Sequence, residues 1–262
     1  MQATVALEEH MKLAIFGANG PTGRLLTDQA LAAGHTVSAF TRHAGDFPIH
    51  HEHLRVVQGD ALDLASVDQA IAGQDAVLSA IGTRYGRKEI TLFSRSVANM
   101  MEAMDAHGVR RLVCVSSSVT DPALRSKHTG GGFIFEKILK PFITNVVGKT
   151  MYADLLRMER LVMESDLDWT VVRPSGLFET AGVTDYRVAE NFLPERFTSR
   201  NDLAACLLHQ AGSDQYVRKV LAVATVAVKP QMVKLLLKEA FGISIGDPRV
   251  QPAPGSTTPA RY

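Results

Sequence analysis

Short runs of aliphatic and β-branched residues recur along the chain, and between them apolar positions fall at helical spacing. The runs predict strands at Lys12–Phe16, Thr36–Phe40, Leu54–Val57, Ala76–Ala80, Arg111–Val115, Trp169–Val172 and Val220–Ala224. The intervening segments predict helices at Thr22–Ala33, Ser66–Ala72, Thr91–His107, Tyr152–Glu164, Asn201–Gln210 and Pro230–Ala240, with Gly34 and Gly108 standing just past two of them as terminators. Strand and helix in steady alternation build a parallel sheet with helices on both faces. The expected class is therefore α/β, a doubly wound parallel sheet in a single domain, with a small C-terminal region on the substrate side. Residues 1–10 read as a polar N-terminal extension and 11–245 as the domain. Residues 246–262, with Pro252, Pro254, Gly255, Ser256 and Pro259, are too poor in large apolar side chains to pack and read as a disordered tail.

The first strand runs directly into Gly17-Ala18-Asn19-Gly20-Pro21-Thr22-Gly23, and a helical pattern follows at once. In that setting each glycine answers a separate need. Gly17 permits the tight turn, Gly20 lets backbone approach a pyrophosphate, and Gly23 brings helix and strand together. Free amides and the positive end of the helix dipole then favour a phosphate. A glycine triplet alone is weak, but strand before and helix after make it a Rossmann-type dinucleotide signature. Gly17, Asn19, Gly20, Pro21, Thr22 and Gly23 are the expected cofactor residues.

Past the second strand, a fold of this kind that selects NAD carries an acid for the ribose. Here the stretch is Phe40-Thr41-Arg42-His43, without one. Arg42 matches an extra 2′-phosphate in charge and geometry, which favours NADP(H) over NAD(H); its alternative is an ordinary solvated side chain. After the third strand, Asp60 and the backbone of Ala61 either face an adenine amine or, in the case of Asp60, cap the next turn.

Composition narrows the partners. With 262 residues, 46% of them hydrophobic, the chain can bury one large core, and a net charge of +1 gives no broad field for nucleic acid or an anionic membrane. A small molecule is the expected ligand. No apolar run reaches the ~18 residues that span a bilayer, and the first ten residues lack a signal-peptide pattern, so a cytoplasmic location is expected. Cys114 and Cys206 sit in apolar stretches and read as buried free thiols.

Several motifs together resemble the atypical short-chain dehydrogenase/reductase superfamily, in the branch with NmrA-like proteins and the NADPH-dependent flavin and biliverdin-IXβ reductases. They are Ala14–Gly23, Gly59-Asp60, Gly73–Val77, Ile81–Arg84, Ala103–Val109, the serines after the fifth strand, and Val172-Arg173-Pro174, so the likeness covers residues 11–225. It implies that Ala80, Ile81 and Gly82 pass near the cofactor ribose, that Ser116 and Ser117 lie by the nicotinamide, and that Pro174 walls the far side. The family's catalytic Tyr with Lys four residues on is missing. Tyr152 has Leu156 at that distance, and an alignment on Glu159 puts the two places at Met151 and Leu155.

Hydride transfer needs the protein chiefly to orient the cofactor and exclude water, so the missing pair does not exclude a reductase. Ser117 and Tyr152 are the candidate catalytic residues, Tyr152 being alternatively a half-buried packing aromatic. Ser118, Arg84 and Tyr85 are candidates for substrate contact. The apolar segment 130–149, with Lys137 and Lys140, suits a mobile lid, a contact with another subunit or, short of basic residues as it is, a membrane-surface helix. His50-His51-Glu52-His53 offers ligand-type side chains, but neighbours in a loop rarely converge on one ion, and no metal is expected. Two functions remain: an NADPH-dependent reductase of a flavin, quinone or tetrapyrrole type of substrate, or a non-catalytic NADP(H) sensor.

Overall fold

The structure, a computed structural model, describes residues 10–83, 88–121 and 148–228. Its strands are β1 (Lys12–Phe16), β2 (Thr36–Thr41), β3 (Leu54–Gln58), β4 (Ala76–Ser79), β5 (Arg111–Val115), β6 (Asp168–Pro174), β7 (Gly176–Phe178), β8 (Tyr186–Glu190), β9 (Phe197–Ser199) and β10 (Lys219–Thr225). Its helices are α1 (Pro21–Ala32), α2 (Leu64–Ile71), α3 (Leu92–His107), α4 (Lys149–Met163) and α5 (Arg200–Ala211), with short 3-10 turns at Ala44–Asp46 and Ser118–Thr120.

Eight strands form the main sheet in the order β3-β2-β1-β4-β5-β6-β10-β8. The first seven run parallel, and β8 pairs antiparallel with β10. The order reverses between β1 and β4, which opens a crevice at their carboxyl ends. Register keeps those ends level: Phe16 lies opposite both Phe40 of β2 and Ser79 of β4.

The alternation of side chains along each strand divides the core into two layers. One gathers Leu13, Ile15, Leu26, Ala30, Leu203 and Leu207, so α1 and α5 cover that face. The other gathers Phe16, Val67, Met100, Met104, Met158 and Val162, so α2, α3 and α4 cover the opposite face. Both layers are closed to water, which explains why the parallel strands read as nearly continuous apolar runs.

The doubly wound α/β expectation is met, with boundaries shifted by a few residues at most. Three additions were not anticipated: antiparallel β8, and the pair β7 and β9, which form a small parallel sheet of their own. Each is short, β7 and β8 are largely open to solvent and β9 buries two polar residues, Thr198 and Ser199, so none has the apolar run that marks a central strand. His10, assigned to the N-terminal extension, bonds the Gly34 carbonyl and the Thr36 hydroxyl and so joins the fold. The expected helix Pro230–Ala240, the tail 246–262, Arg84, Tyr85, Lys137 and Lys140 lie outside the described residues.

Candidate functional site

The glycine turn is shaped by contacts that leave no room for side chains. Gly17 has φ +74°, and a Cβ there would stand 2.7 Å from the Ala80 carbonyl carbon and 2.8 Å from the Ile81 nitrogen. The segment Ala80-Ile81-Gly82, leaving β4, therefore flanks the turn, held by Ala80 N–H donating to the Phe16 carbonyl at 2.9 Å. A Cβ on Gly23 would lie 2.1 Å from the Gly17 oxygen, the closest of these approaches, and one on Gly20 would lie 3.2 Å from the same atom. Helix α1 is thus packed onto the end of β1 with backbone against backbone.

The start of α1 has no side-chain cap and no acid in its first turn. Gly20 occupies the N-cap and Pro21 the first helical position, where its missing N–H costs nothing. Asn19 does not face the helix amides as an acceptor; its Oδ1 takes two bonds from Arg24, from Nε at 2.9 Å and Nη2 at 2.7 Å. Thr22 is buried, and its Oγ1 lies 3.4 Å from Nη1 of Arg200 on α5. Arg200 also pairs with Glu179 at 2.9 Å.

Arg42 stands exposed just past β2, with no hydrogen bond or ion pair among the described residues. Asp60 accepts from the Leu62 amide at 3.0 Å and so caps its own turn, while Ala61 is buried beneath it and its carbonyl accepts from Asn99 Nδ2 at 3.0 Å. One Asp60 oxygen is thereby engaged locally, which is the turn-capping option of the two left open by the sequence.

At the end of β5, Ser116 is 6% exposed and its Oγ has no hydrogen-bond partner among the described residues. Its amide donates to the Val172 carbonyl at 2.8 Å, tying the β5 end to β6. The Ser117 Oγ accepts from the Val119 amide at 3.3 Å, and Ser118 opens the 3-10 turn that follows. Pro174 closes β6 opposite Val223 of β10.

Under this serine turn lies a cluster that sequence reasoning missed. Arg173 of β6 grips Glu159 of α4 with both ends of its fork, Nε to Oε1 at 2.9 Å and Nη2 to Oε2 at 2.7 Å, and Thr120 Oγ1 donates to Oε1 at 2.7 Å. Both charged side chains are buried, so each depends on the other for the solvation that water would have supplied. Glu159 and Arg173 were each visible as motif residues, but only the placement of α4 over β6 pairs them. Tyr152 and Met151 pack against the adjoining apolar layer, and Leu155 lies within it. Tyr152, near the start of α4, is half-buried.

Both cysteines are withdrawn from solvent. Burial, with the nearby Glu159 carboxylate adding to it, pushes the Cys114 thiol up to about 12, and burial alone does the same for Cys206. His51 and His53 are exposed, with ring centroids 5.5 Å apart, and no metal-holding group of His, Cys, Asp and Glu occurs among the described residues. No described helix is long and apolar enough to cross a membrane.

The residues of the crevice fit a dinucleotide on their own geometry: a cradle that any Cβ would fill, an uncapped helix start free of acid, and a buried hydroxyl lacking a partner among the described residues. Known proteins agree. An uncharacterized chloroplastic protein of Arabidopsis thaliana is 27% identical over 174 residues, 63% of this chain and 59% of that relative. The chain thus spans less than two thirds of that relative's length. A short-chain dehydrogenase/reductase (wide type) from Veillonella parvula, solved in complex with NADP, superposes with a TM-score of 0.67 at 18% identity, covering 85% of this chain and 100% of that one. The anaerobillin reductase ChuY from Escherichia coli O157:H7 gives 0.66 at 21% identity, covering 84% and 99%. The two superpositions show a shared Rossmann-like fold. The family model described as NAD(P)H-binding matches residues 17–214, from the first glycine of the turn to just beyond α5, and the chain belongs to that NAD(P)H-binding family.

Proposed function

We propose that the protein is an NADPH-dependent reductase acting on a small conjugated or carbonyl substrate of flavin, quinone or tetrapyrrole type. The observation that carries this reading is the uncapped, acid-free start of α1 set in a cradle closed to side chains, with Arg42 exposed just past β2. NADPH, when bound, supplies the hydride. The amides at the start of α1 hold negative charge, and Arg42 selects the 2′-phosphate. Ser116 Oγ, buried and without a partner among the described residues, is available to bond a polar group of the ring that reacts. At the two aligned places of the Tyr–Lys pair the chain carries Met151, packed against the apolar layer, and Leu155, within it. A substrate that accepts hydride at a conjugated centre and draws its proton from water fits this site better than an alcohol–ketone pair. In this reading Ser117 and Ser118 contact the substrate, as do Arg84 and Tyr85, which follow β4 in the sequence and lie outside the described residues. A cytoplasmic location and small-molecule partners complete the proposal.

One observation favours a second reading, an NADP(H) sensor without turnover: the acid on α4, Glu159, is fully committed to Arg173 and Thr120. Mixing purified protein with NADPH and a panel of flavins, quinones and tetrapyrroles, and following nicotinamide absorbance, separates the two. Oxidation of NADPH with any acceptor supports the reductase; tight binding with no oxidation across the panel overturns it in favour of the sensor. Arg42→Asp is expected to weaken NADPH by about ten- to a hundredfold, the worth of a charge-assisted contact, while leaving NADH nearly unchanged. Equal losses for both nucleotides would remove the 2′-phosphate role.

A further inference from the structure

We propose that Arg200, on α5, is a second cationic contact of the bound dinucleotide, facing its diphosphate from the opposite side of the cradle to the helix amides. The inference rests on the dinucleotide reading of the glycine turn and adds to it a residue 178 positions beyond Thr22 in the chain.

Two guanidinium groups approach the turn. Arg24 spends Nε and Nη2 on Asn19 Oδ1, so its fork is turned back on the loop. Arg200 is held differently. Glu179 takes its Nε edge at 2.9 Å, and this leaves the Nη edge directed at the cradle, where Nη1 reaches the Thr22 hydroxyl at 3.4 Å. That contact is long for a hydrogen bond, and the remaining N–H groups have no partner among the described residues. A phosphate lying over the start of α1 would offer this edge a shorter, charged acceptor.

The placement is built rather than incidental. Ser199 caps α5 by accepting from the Asp202 amide at 3.0 Å, and buried Asp202 bonds Thr184 and Thr225, fixing the helix start. Gln29 of α1 reaches the Asn201 carbonyl at 3.2 Å, which locks α1 and α5 side by side with Arg200 beside Thr22. The Arg200 side chain is 24% exposed, open enough to meet a ligand and covered enough to be steered. Glu179, at 52% exposure, can keep the far edge without hiding the near one.

The test uses the full chain and two ligands: NADPH, and adenosine 2′-monophosphate, which carries the 2′-phosphate but no diphosphate. Arg200→Gln is expected to weaken NADPH about tenfold, to leave adenosine 2′-monophosphate unchanged, and to lose its effect at high salt. Arg200→Lys is expected to recover most of the affinity, because it restores the charge. Unchanged NADPH binding in Arg200→Gln, or an equal loss for both ligands, would overturn the proposal. Should Arg200→Gln melt early, the wild-type protein still decides: NADPH is expected to shield Arg200 from phenylglyoxal, read by peptide mass, whereas adenosine 2′-monophosphate leaves it reactive. Absence of shielding by bound NADPH overturns the proposal equally. Failure of the wild type to bind NADPH at all would instead strike the reading of the glycine turn.

Discussion

Gly23 shows how far a single hydrogen in place of a methyl can determine a site. A Cβ there would meet the Gly17 carbonyl oxygen at 2.1 Å, and that oxygen is backbone, unable to rotate aside. Gly23→Ala is therefore expected to push α1 off β1, costing on the order of 1–3 kcal/mol and abolishing NADPH binding. Gly45→Ala, at a glycine with nothing within 4 Å, is the control and is expected to leave both unchanged. Urea midpoints and NADPH titrations of the two variants check this. The glycine turn was legible because its requirement is local: the spacing of three residues between a strand and a helix states the geometry outright. The position of Arg42, exposed just past β2, was legible for the same reason. Arg200 was not, because nothing near residue 200 signals the company of Thr22, and the pair forms only when α5 comes to rest beside α1. The Asp60 alternatives were separable only by geometry, since the same carboxylate suits either role.

Between elements, single buried side chains replace what a loop would otherwise supply. Asp154 of α4 accepts from the Phe93 amide at 2.8 Å and the Ser94 amide at 3.4 Å, and also from the Ser94 hydroxyl, so it caps α3 from a neighbouring helix. Thr91, at the α3 N-cap, makes no such bond itself. Asp154→Ala is expected to leave those donors unsatisfied in a dry interface and to cost about 1–3 kcal/mol, measured as a lowered urea midpoint with the slope unchanged. Arg111 plays a comparable part at the other face, donating to the carbonyls of Asp168 and Gln210 and to Thr170 Oγ1, so that β5, β6 and the end of α5 are bound through one guanidinium. Its burial brings its own pKa down to about 10. The strands and helices that such residues join were readable from periodicity. The joints were not, for an aspartate or arginine inside a helical pattern looks the same whether it faces water or a partner. Strands β7, β8 and β9 escaped for a related reason: with three to five residues each and no apolar run, they are strands by virtue of their neighbours.

At the scale of the molecule, burial among the described residues keeps the acidic hydrogens of Cys114, Cys206 and Tyr186 on. Cys114 and Cys206 are raised from 9.0 to about 12, and Tyr186 from 10.0 to about 12, its causes being burial first, then Cys206 and Asp202. In each case the unfolded chain loses its proton at lower pH than the folded one. Their contribution to stability is therefore complete below about pH 9 and declines as pH climbs towards 12. Chemical unfolding measured from about pH 7 to 12 is expected to show that decline. Native protein at about pH 8 is expected to resist a thiol reagent that labels the unfolded chain at both cysteines.

The pairing of α1 with α5 also has a consequence for synthesis. The sheet face that carries Leu13 and Ile15 is covered jointly by residues 21–32 and 200–211. On a ribosome adding about 5–20 residues per second, the later helix emerges roughly 10 to 40 seconds after the earlier one. For that interval the nascent chain presents an oily half-surface with no lid of its own, and a chaperone holding it would be replaced, on release, by the polypeptide's own late-made helix.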